Sequence, residues 1–134
     1  MFVKDGKLRY VHNYVGRAVY GVESDIVLVP GQHTLRFEFE PTGPPDLQHG
    51  KGAPGRLQLY VDGTLAGNAE APVTNPFVLN PGALTCGANL GSAITDDYAS
   101  PFKFTGTIHS VTVDVSGKLT EDTEAELRMH MARQ

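Results

Sequence analysis

The chain is poor in several residue types that mark particular classes of protein. Its 134 residues contain one cysteine, Cys86, and no tryptophan. A single cysteine excludes an intramolecular disulfide and a zinc site built from four cysteines. We expect the Cys86 thiol to be buried and inert, because a free cysteine usually behaves as a small hydrophobic residue. The lack of tryptophan weakens a carbohydrate-binding interpretation and leaves five tyrosines as aromatic platforms.

The chain also lacks a basic excess and a long apolar run. Lys and Arg number 11 against 15 Asp and Glu, which gives a net charge of −4. Nucleic-acid-binding proteins normally carry a basic surface, so we predict no nucleic-acid partner. No apolar run approaches the ~18 residues that a membrane helix needs, and the first residues show no signal-peptide pattern. We therefore expect a soluble chain with no membrane contact, and its compartment stays open.

Apolar and polar residues alternate with a period of two, which is typical of β-strands. Residues 35–39 and 57–61 both show this pattern. Asp62-Gly63 follows the second run at once and predicts a tight hairpin, since this pair tolerates positive φ. Asp5-Gly6 predicts another hairpin before residues 8–15. That run is apolar on both faces, which predicts an inner strand covered on both sides.

Further strands are predicted along the rest of the chain, and the only predicted helix begins near Thr120 at the C-terminus. A bulge near His109 or Ser110 would bring the apolar residues of the last strand into phase. Many short strands between turns favour an all-β fold, an antiparallel jelly-roll β-sandwich with a short C-terminal helix, as one domain over residues 1–134. The additional strands are expected at residues 18–22, 26–29, 77–79, 84–86 and 107–115.

Glu38 and Glu40 are the strongest candidates for a catalytic pair. On a strand they would share one face with Cα atoms ~6.6 Å apart, at a rise of ~3.3 Å per residue. Paired carboxylates near that separation can act in glycoside hydrolysis. The alternation with Phe37 and Phe39 is equally typical of a half-buried strand with a charged outer face, so we assign no catalytic residue.

Asp96 and Asp97 are the only candidates for a metal site. A loop rich in oxygen atoms can bind a hard cation such as Ca²⁺, but aspartates in turns more often bond to their own backbone. The five histidines show no zinc-binding spacing, and no phosphate-binding loop or nucleophile elbow occurs. We therefore predict no cofactor and no metal in this domain, with Asp96 and Asp97 as weak exceptions.

Two long loops, residues 41–55 and 87–101, are where we expect ligand contacts, because binding residues concentrate on loops of a rigid scaffold. Lys51 and Arg56 are cations that could meet a sulfate group. The candidate ligand-binding residues are Asp46, His49, Lys51 and Arg56 from the first loop, with Asp96, Asp97 and Tyr98 from the second.

Several blocks in order resemble the C-terminal region of large bacterial arylsulfatases, within the laminin-G-like branch of the concanavalin A-like lectin/glucanase superfold. The hairpin at residues 57–63 and the segment at residues 104–111 resemble the superfold in general. The blocks that resemble the arylsulfatases are residues 7–16, 33–40, 50–55 and 95–102.

The resemblance implies a domain cut from the C-terminus of a longer sulfatase. The family's nucleophile motif, Cys or Ser followed by x-Pro-x-Arg, is absent, since Cys86-Gly87-Ala88 lacks the proline. The active site and its divalent cation, calcium, would then belong to the catalytic domain of the parent chain. This domain would pack on that catalytic domain and shape access to it, or contact a glycan or sulfated ligand. A free-standing lectin-like module and a glycosidase stay open as alternatives.

Overall fold

A computed structural model describes residues 1–76 and 84–116. The regular structure of these residues is almost entirely antiparallel β, which confirms the all-β prediction. The predicted strand at residues 77–79 and the predicted helix from Thr120 lie outside the described residues. The eight strands are β1 (Phe2–Lys4), β2 (Lys7–Tyr14), β3 (Ala18–Val27), β4 (Leu35–Pro41), β5 (Gly55–Val61), β6 (Thr64–Ala71), β7 (Ala88–Asn89) and β8 (Phe102–Lys103), with one turn of 3₁₀ helix at Leu47–His49.

The first sheet has the order β1-β2-β3, and all its neighbours are antiparallel. The predicted Asp5-Gly6 turn joins β1 to β2, with φ of 53° at Asp5 and 72° at Gly6. The central strand β2 buries Leu8 and Val11, which are 0% and 9% exposed. These two side chains belong to opposite faces of the sheet, so the prediction of an inner strand covered twice is confirmed.

The second sheet has the order β4-β5-β6 and contains the predicted Asp62-Gly63 hairpin. Both turn residues have positive φ, 50° and 81°, as this turn requires. Along β5 the side chains alternate between buried and half-buried positions, and Leu57, Leu59 and Val61 point inward. The alternation of apolar and polar residues along β5 therefore correctly predicts which face of this sheet packs on the core.

The two sheets share one hydrophobic core. Leu8 and Val22 from the first sheet belong to the same cluster of buried residues as Leu57 and Leu59 from the second. The described residues establish an antiparallel all-β fold. Its sheets have two or three strands each and do not close on one another. The jelly-roll arrangement remains a prediction.

A third layer covers the outer face of the first sheet. It consists of the short β7–β8 pair and the loop between these strands, residues 90–101. Phe2 of β1 contacts Tyr98 and Phe102 of this layer edge to face, with ring centroids 5.1 and 5.9 Å apart. The Lys4 ammonium also donates a hydrogen bond to the Asp97 carbonyl. This layer covers the β2 face that carries Val11.

Three strand predictions need correction. Residues 26–29 do not form a separate strand, because β3 runs on to Val27 and the Leu28 amide donates to the Gly6 carbonyl at 2.7 Å. Residues 84–86 are not a strand either, since pairing begins two residues later in β7. Within the described part of the chain, residues 107–115 are paired with no strand, so the predicted strand and its bulge near His109 or Ser110 are not found there. In the described part of the chain, no helix has the length and apolar character needed to cross a membrane.

Candidate functional site

An open cavity of about 500 Å³ lies between the outer face of the first sheet and the 90–101 loop. Asn13 of β2 and Val19 of β3 form its floor on the sheet side. The loop contributes Ile94, Thr95 and Asp96 to the wall, and the rim includes Tyr98. Two of the predicted ligand-binding residues, Asp96 and Tyr98, therefore do line one cavity.

Asn13 ties the loop to the sheet. Its side-chain nitrogen Nδ2 donates to the Ile94 carbonyl at 3.0 Å, while its oxygen Oδ1 accepts from the Gly16 amide at 2.7 Å. The Asn13 carbonyl in turn accepts a hydrogen bond from Asn75 Nδ2 at 3.2 Å. Both ends of the Asn13 amide are thus used within the protein, and its role in the cavity is to position the wall.

Tyr98 is held by aromatic packing on the other side of the loop. Its ring stacks on Phe102 with centroids 4.4 Å apart and an angle of 23° between the planes. Its hydroxyl accepts a hydrogen bond from Asn89 Nδ2 at 3.0 Å. Favourable aromatic pairs contribute ~0.5–1.5 kcal/mol beyond the buried area. The hydroxyl proton of Tyr98 is left to donate to another acceptor.

Asp96 and Asp97 have different surroundings although they are adjacent. Asp96 lines the cavity, whereas the Asp97 carboxylate lies 3.8 Å from Arg9 Nη1. Arg9 also pairs with Glu23, with 2.6 Å between Nε and Oε2. Within the described residues, no group of three or more His, Cys, Asp or Glu side chains is placed to hold a metal ion.

Glu23 forms ion pairs with two cationic side chains of the first sheet, Lys7 and Arg9. Lys7 Nζ lies 2.8 Å from its Oε1, and this hydrogen bond is the main cause that lowers the pKa of the Glu23 carboxyl, with Arg9 adding to it. The cationic groups near the 90–101 loop therefore face carboxylates and carbonyls of the protein itself.

The first-loop candidates form a local turn. His49 Nδ1 lies 2.8 Å from Asp46 Oδ1, and this hydrogen bond is the main cause that lowers the pKa of Asp46. The Lys51 amide donates to the Asp46 carbonyl at 2.9 Å, and all three residues are exposed. The carboxylate of Asp46 is thus used in turn formation, and these three residues do not line the cavity.

Arg56 does not belong to the loop, which corrects the prediction. It lies in β5, where its guanidinium is 2.9 Å from Glu40 Oε2 and 3.4 Å from Glu70 Oε1. Register explains this placement, because Arg56 is opposite Glu40 on β4 and Glu70 on β6. Two carboxylates beside it oppose the binding of a sulfate group at Arg56.

The two glutamates considered as a catalytic pair are both in ion pairs. Glu38 Oε1 lies 2.9 Å from Arg36 Nη1, and Glu40 pairs with Arg56. Arg36 also lies over the Tyr60 ring, 4.0 Å from its centroid. These side chains form the outer face of the second sheet, and neither glutamate lines the cavity. The geometry gives no support to the glycosidase alternative.

Cys86 is exposed, which contradicts the prediction of a buried thiol. The prediction rested on the general burial of free cysteines, but Cys86 precedes β7 and lies outside the strands of the described residues. Asn13, Val19 and Thr95 line the cavity but were not predicted. No local pattern marks these three positions as ligand-binding, and the contact between Asn13 and Ile94 spans 81 residues.

Comparison with protein-family models, with curated proteins and with solved structures finds no significant match for this chain.

Proposed function

We propose that this chain is a non-catalytic accessory domain of an arylsulfatase-type sulfuric ester hydrolase, and that it packs on the catalytic domain of the parent chain. The observation that supports this most is a row of exposed valines near the end of the described residues. Val111, Val113 and Val115 are 60%, 62% and 86% exposed. Single exposed apolar residues are common, but a regular series of them is typical of an interaction surface.

The spacing of these valines suggests how the surface is used. In an extended segment, residues two apart lie on the same face, so the three side chains would form one apolar stripe. Residues 107–115 have no strand partner among the described residues. A strand or apolar face of a second domain would satisfy the backbone and cover the valines together.

The chemistry of the parent enzyme would lie outside this domain. The cation and the modified cysteine or serine would be supplied by the catalytic domain, and this domain would contribute to the shape of the site entrance. This division of roles agrees with the ion pairing of Glu38 and Glu40, which leaves neither carboxylate directed at a cavity.

The parent gene provides the first test. We expect the reading frame upstream of Met1 to continue and to encode Cys-x-Pro-x-Arg or Ser-x-Pro-x-Arg. A stop codon directly upstream, or a long upstream region without either motif, would contradict the arylsulfatase assignment.

The parent protein provides the second test. We expect Val111→Asp combined with Val113→Asp to raise hydrogen exchange across residues 107–115 and to lower the thermal stability of the full chain. Val29→Asp is the matched control, because Val29 is 65% exposed and lies outside the strands. Equal effects of the double variant and the control would argue against a covered valine stripe.

A second candidate function is a carbohydrate-binding, lectin-like module, and the cavity under the 90–101 loop favours it. Its volume of about 500 Å³ falls in the range of ~300–1,000 Å³ that is usual for small-molecule sites. Half of its lining residues are apolar (Val19, Ala93, Ile94 and Ala99), and the other half carry hydrogen-bonding groups that can orient a ligand (Asn13, Thr95, Asp96 and Tyr98).

A further inference from the structure

We infer that the cavity under the 90–101 loop binds a neutral carbohydrate of one to three rings and discriminates against sulfated ones. This inference deepens the second candidate function and does not depend on the arylsulfatase assignment. It rests on the charge of the cavity wall, on the polar groups that the wall leaves free, and on how rigidly the wall is held.

The charge of the wall is negative. The lining residues include the Asp96 carboxylate and no Lys, Arg or His. Among the described residues, two cations contact the 90–101 loop, and both are paired within the protein: Arg9 with Glu23 and Asp97, and Lys4 with the Asp97 carbonyl. A sulfate brought into this cavity would face the Asp96 carboxylate with no cation among the lining residues to compensate it, which costs free energy in a partly desolvated site.

The wall has hydrogen-bonding groups that suit hydroxyls. Thr95 Oγ1 accepts from the Asp97 amide at 3.3 Å, and its own proton is free to donate. The Tyr98 hydroxyl likewise accepts a hydrogen bond, from Asn89 Nδ2, and can donate its own proton to a ligand. Asp96 can accept from two ligand hydroxyls at once, because an ionised carboxylate offers two oxygens. Such a combination of donors and a bidentate acceptor matches a vicinal diol.

Part of the lining is apolar, and the wall is pre-positioned. Val19 lies on the sheet side and Ile94 on the loop side, and together they offer a surface to the C–H face of a sugar ring. The hydrogen bond from Asn13 to the Ile94 carbonyl and the stacking of Tyr98 on Phe102 hold the loop before any ligand arrives. A pre-organised wall lowers the entropic cost of binding.

The binding test uses the uniformly ¹⁵N-labelled chain and five named probes. Lactose, cellobiose, maltose and N,N′-diacetylchitobiose are the neutral probes, and 3′-sulfated lactose is the charged one. We expect at least one neutral disaccharide to shift the amide resonances of residues 93–99 in a saturable way. Sulfated lactose should bind at least about tenfold more weakly than that disaccharide, because repulsion between two like charges near a protein surface reaches the ~1.4 kcal/mol that is a factor of ten in affinity.

Two variants locate the site. Asp96→Asn should weaken binding of the same disaccharide by about tenfold, since hydrogen bonds to charged groups are the strong ones. Asp25→Asn on β3 is the matched control, because it makes the same charge change at an exposed position that does not line the cavity. It should leave the affinity unchanged.

Each contrary outcome has a distinct meaning. Tighter binding of sulfated lactose than of every neutral probe would overturn the neutral specificity while leaving a carbohydrate-binding function in place. Saturable shifts outside residues 93–99, or equal effects of Asp96→Asn and Asp25→Asn, would overturn this cavity as the site. No shift with any probe at ~10 mM, about tenfold above a Kd of ~1 mM, would overturn both the inference and the lectin-like function.

Discussion

The imidazole of His33 lies between two oxygen acceptors, and one of them is the Asp62 carboxylate. Nδ1 is 2.7 Å from Asp62 Oδ2, and Nε2 is 2.7 Å from the Val29 carbonyl. A neutral imidazole carries one N–H and can donate to only one of them, whereas the imidazolium can donate to both. The Asp62 bond, followed by the Val29 bond, therefore raises the pKa of His33. The pair fastens the β3–β4 connection to the β5–β6 turn.

The first prediction is that protonation of His33 adds to the stability of the folded chain. Because the folded-state pKa is raised, this contribution is complete below the ordinary value of ~6.5 and is lost as the pH rises through the folded-state pKa. Replacement by glutamine should lower the melting temperature by a few degrees at pH 5.5 and by much less at pH 8.5. Calorimetry of wild type and His33→Gln across this range measures the difference.

His49→Gln is the matched control for that comparison, because it makes the same change in an exposed turn on the 42–54 loop. A temperature difference between wild type and His33→Gln that stays constant with pH would contradict the prediction.

The second prediction concerns the other half of the pair. The pKa of Asp62 is lowered, first by its hydrogen bond with His33 and then by the Thr34 amide, which donates to Oδ1 at 2.8 Å. Its contribution is present above the ordinary aspartate pKa of ~3.9 and is lost as the pH falls through the folded-state value. Asp62→Asn should therefore destabilise the chain near pH 5.5 and bring the His33 pKa, followed by NMR, back towards 6.5. An unchanged His33 titration in this variant would rule out the coupling.

The third prediction is that the pKa of His12 is shifted downward, opposite to the upward shift of the His33 pKa. His12 Nε2 accepts a hydrogen bond from the Asn75 amide at 3.3 Å, which requires an unprotonated nitrogen, and burial lowers its pKa. Protonation of His12 as the pH falls below ~6.5 should therefore weaken the native state, because a depressed pKa gives stability that is lost in acid. Side-chain NMR titration should place the His12 pKa below 6.5 and that of His33 above it. The reverse order would show that these contacts do not persist in solution.

Sequence reasoning succeeded where the determining interactions are local. The Asp62-Gly63 turn and the inward row of Leu57, Leu59 and Val61 depend on positive φ and on a period of two, and both can be read from neighbouring residues. The cavity could be anticipated only through its loop residues Asp96 and Tyr98. Asn13 was missed because its partner lies 81 residues away, and nothing in the local pattern records such a contact.

The incorrect strand at residues 107–115 has a related cause. Alternation predicts which residues can form a strand, but a strand exists only when another strand pairs with it. Val111 and Val113 alternate as well as the residues of β5 do, yet no strand of the described residues lies beside them. Pairing is a property of the whole fold, and it was the part of the architecture that periodicity left undetermined.

The fourth prediction concerns the contact between Tyr10 and Phe37, which joins the two sheets. Their rings are stacked with centroids 3.6 Å apart and an angle of 9° between the planes. Phe37→Ala should lower the free energy of unfolding by about 2–4 kcal/mol. This is less than the ~3–5 kcal/mol typical of a fully buried phenylalanine, because Phe37 is only half-buried. A double-mutant cycle with Tyr10→Leu and Phe37→Leu should give a coupling energy of about 0.5–1.5 kcal/mol. A coupling near zero would mean that the stack adds nothing beyond hydrophobic burial.

The last prediction is that Gly67 is required by a close approach between β6 and β3. A Cβ atom at this position would lie 2.6 Å from the Glu23 carbonyl oxygen and 3.1 Å from the Val22 side chain. Alanine in a strand is ordinarily better than glycine by roughly 0.5–1 kcal/mol, but here the nearest atom is backbone and cannot rotate away. Gly67→Ala should therefore destabilise the chain by about 1–3 kcal/mol, as overpacking does. Urea unfolding should show a lower midpoint with an unchanged slope, while Asn68→Ala at the exposed neighbouring position should stay within about 0.5 kcal/mol of wild type. A Gly67→Ala variant as stable as wild type would mean that the two strands can separate at this point without loss of core packing.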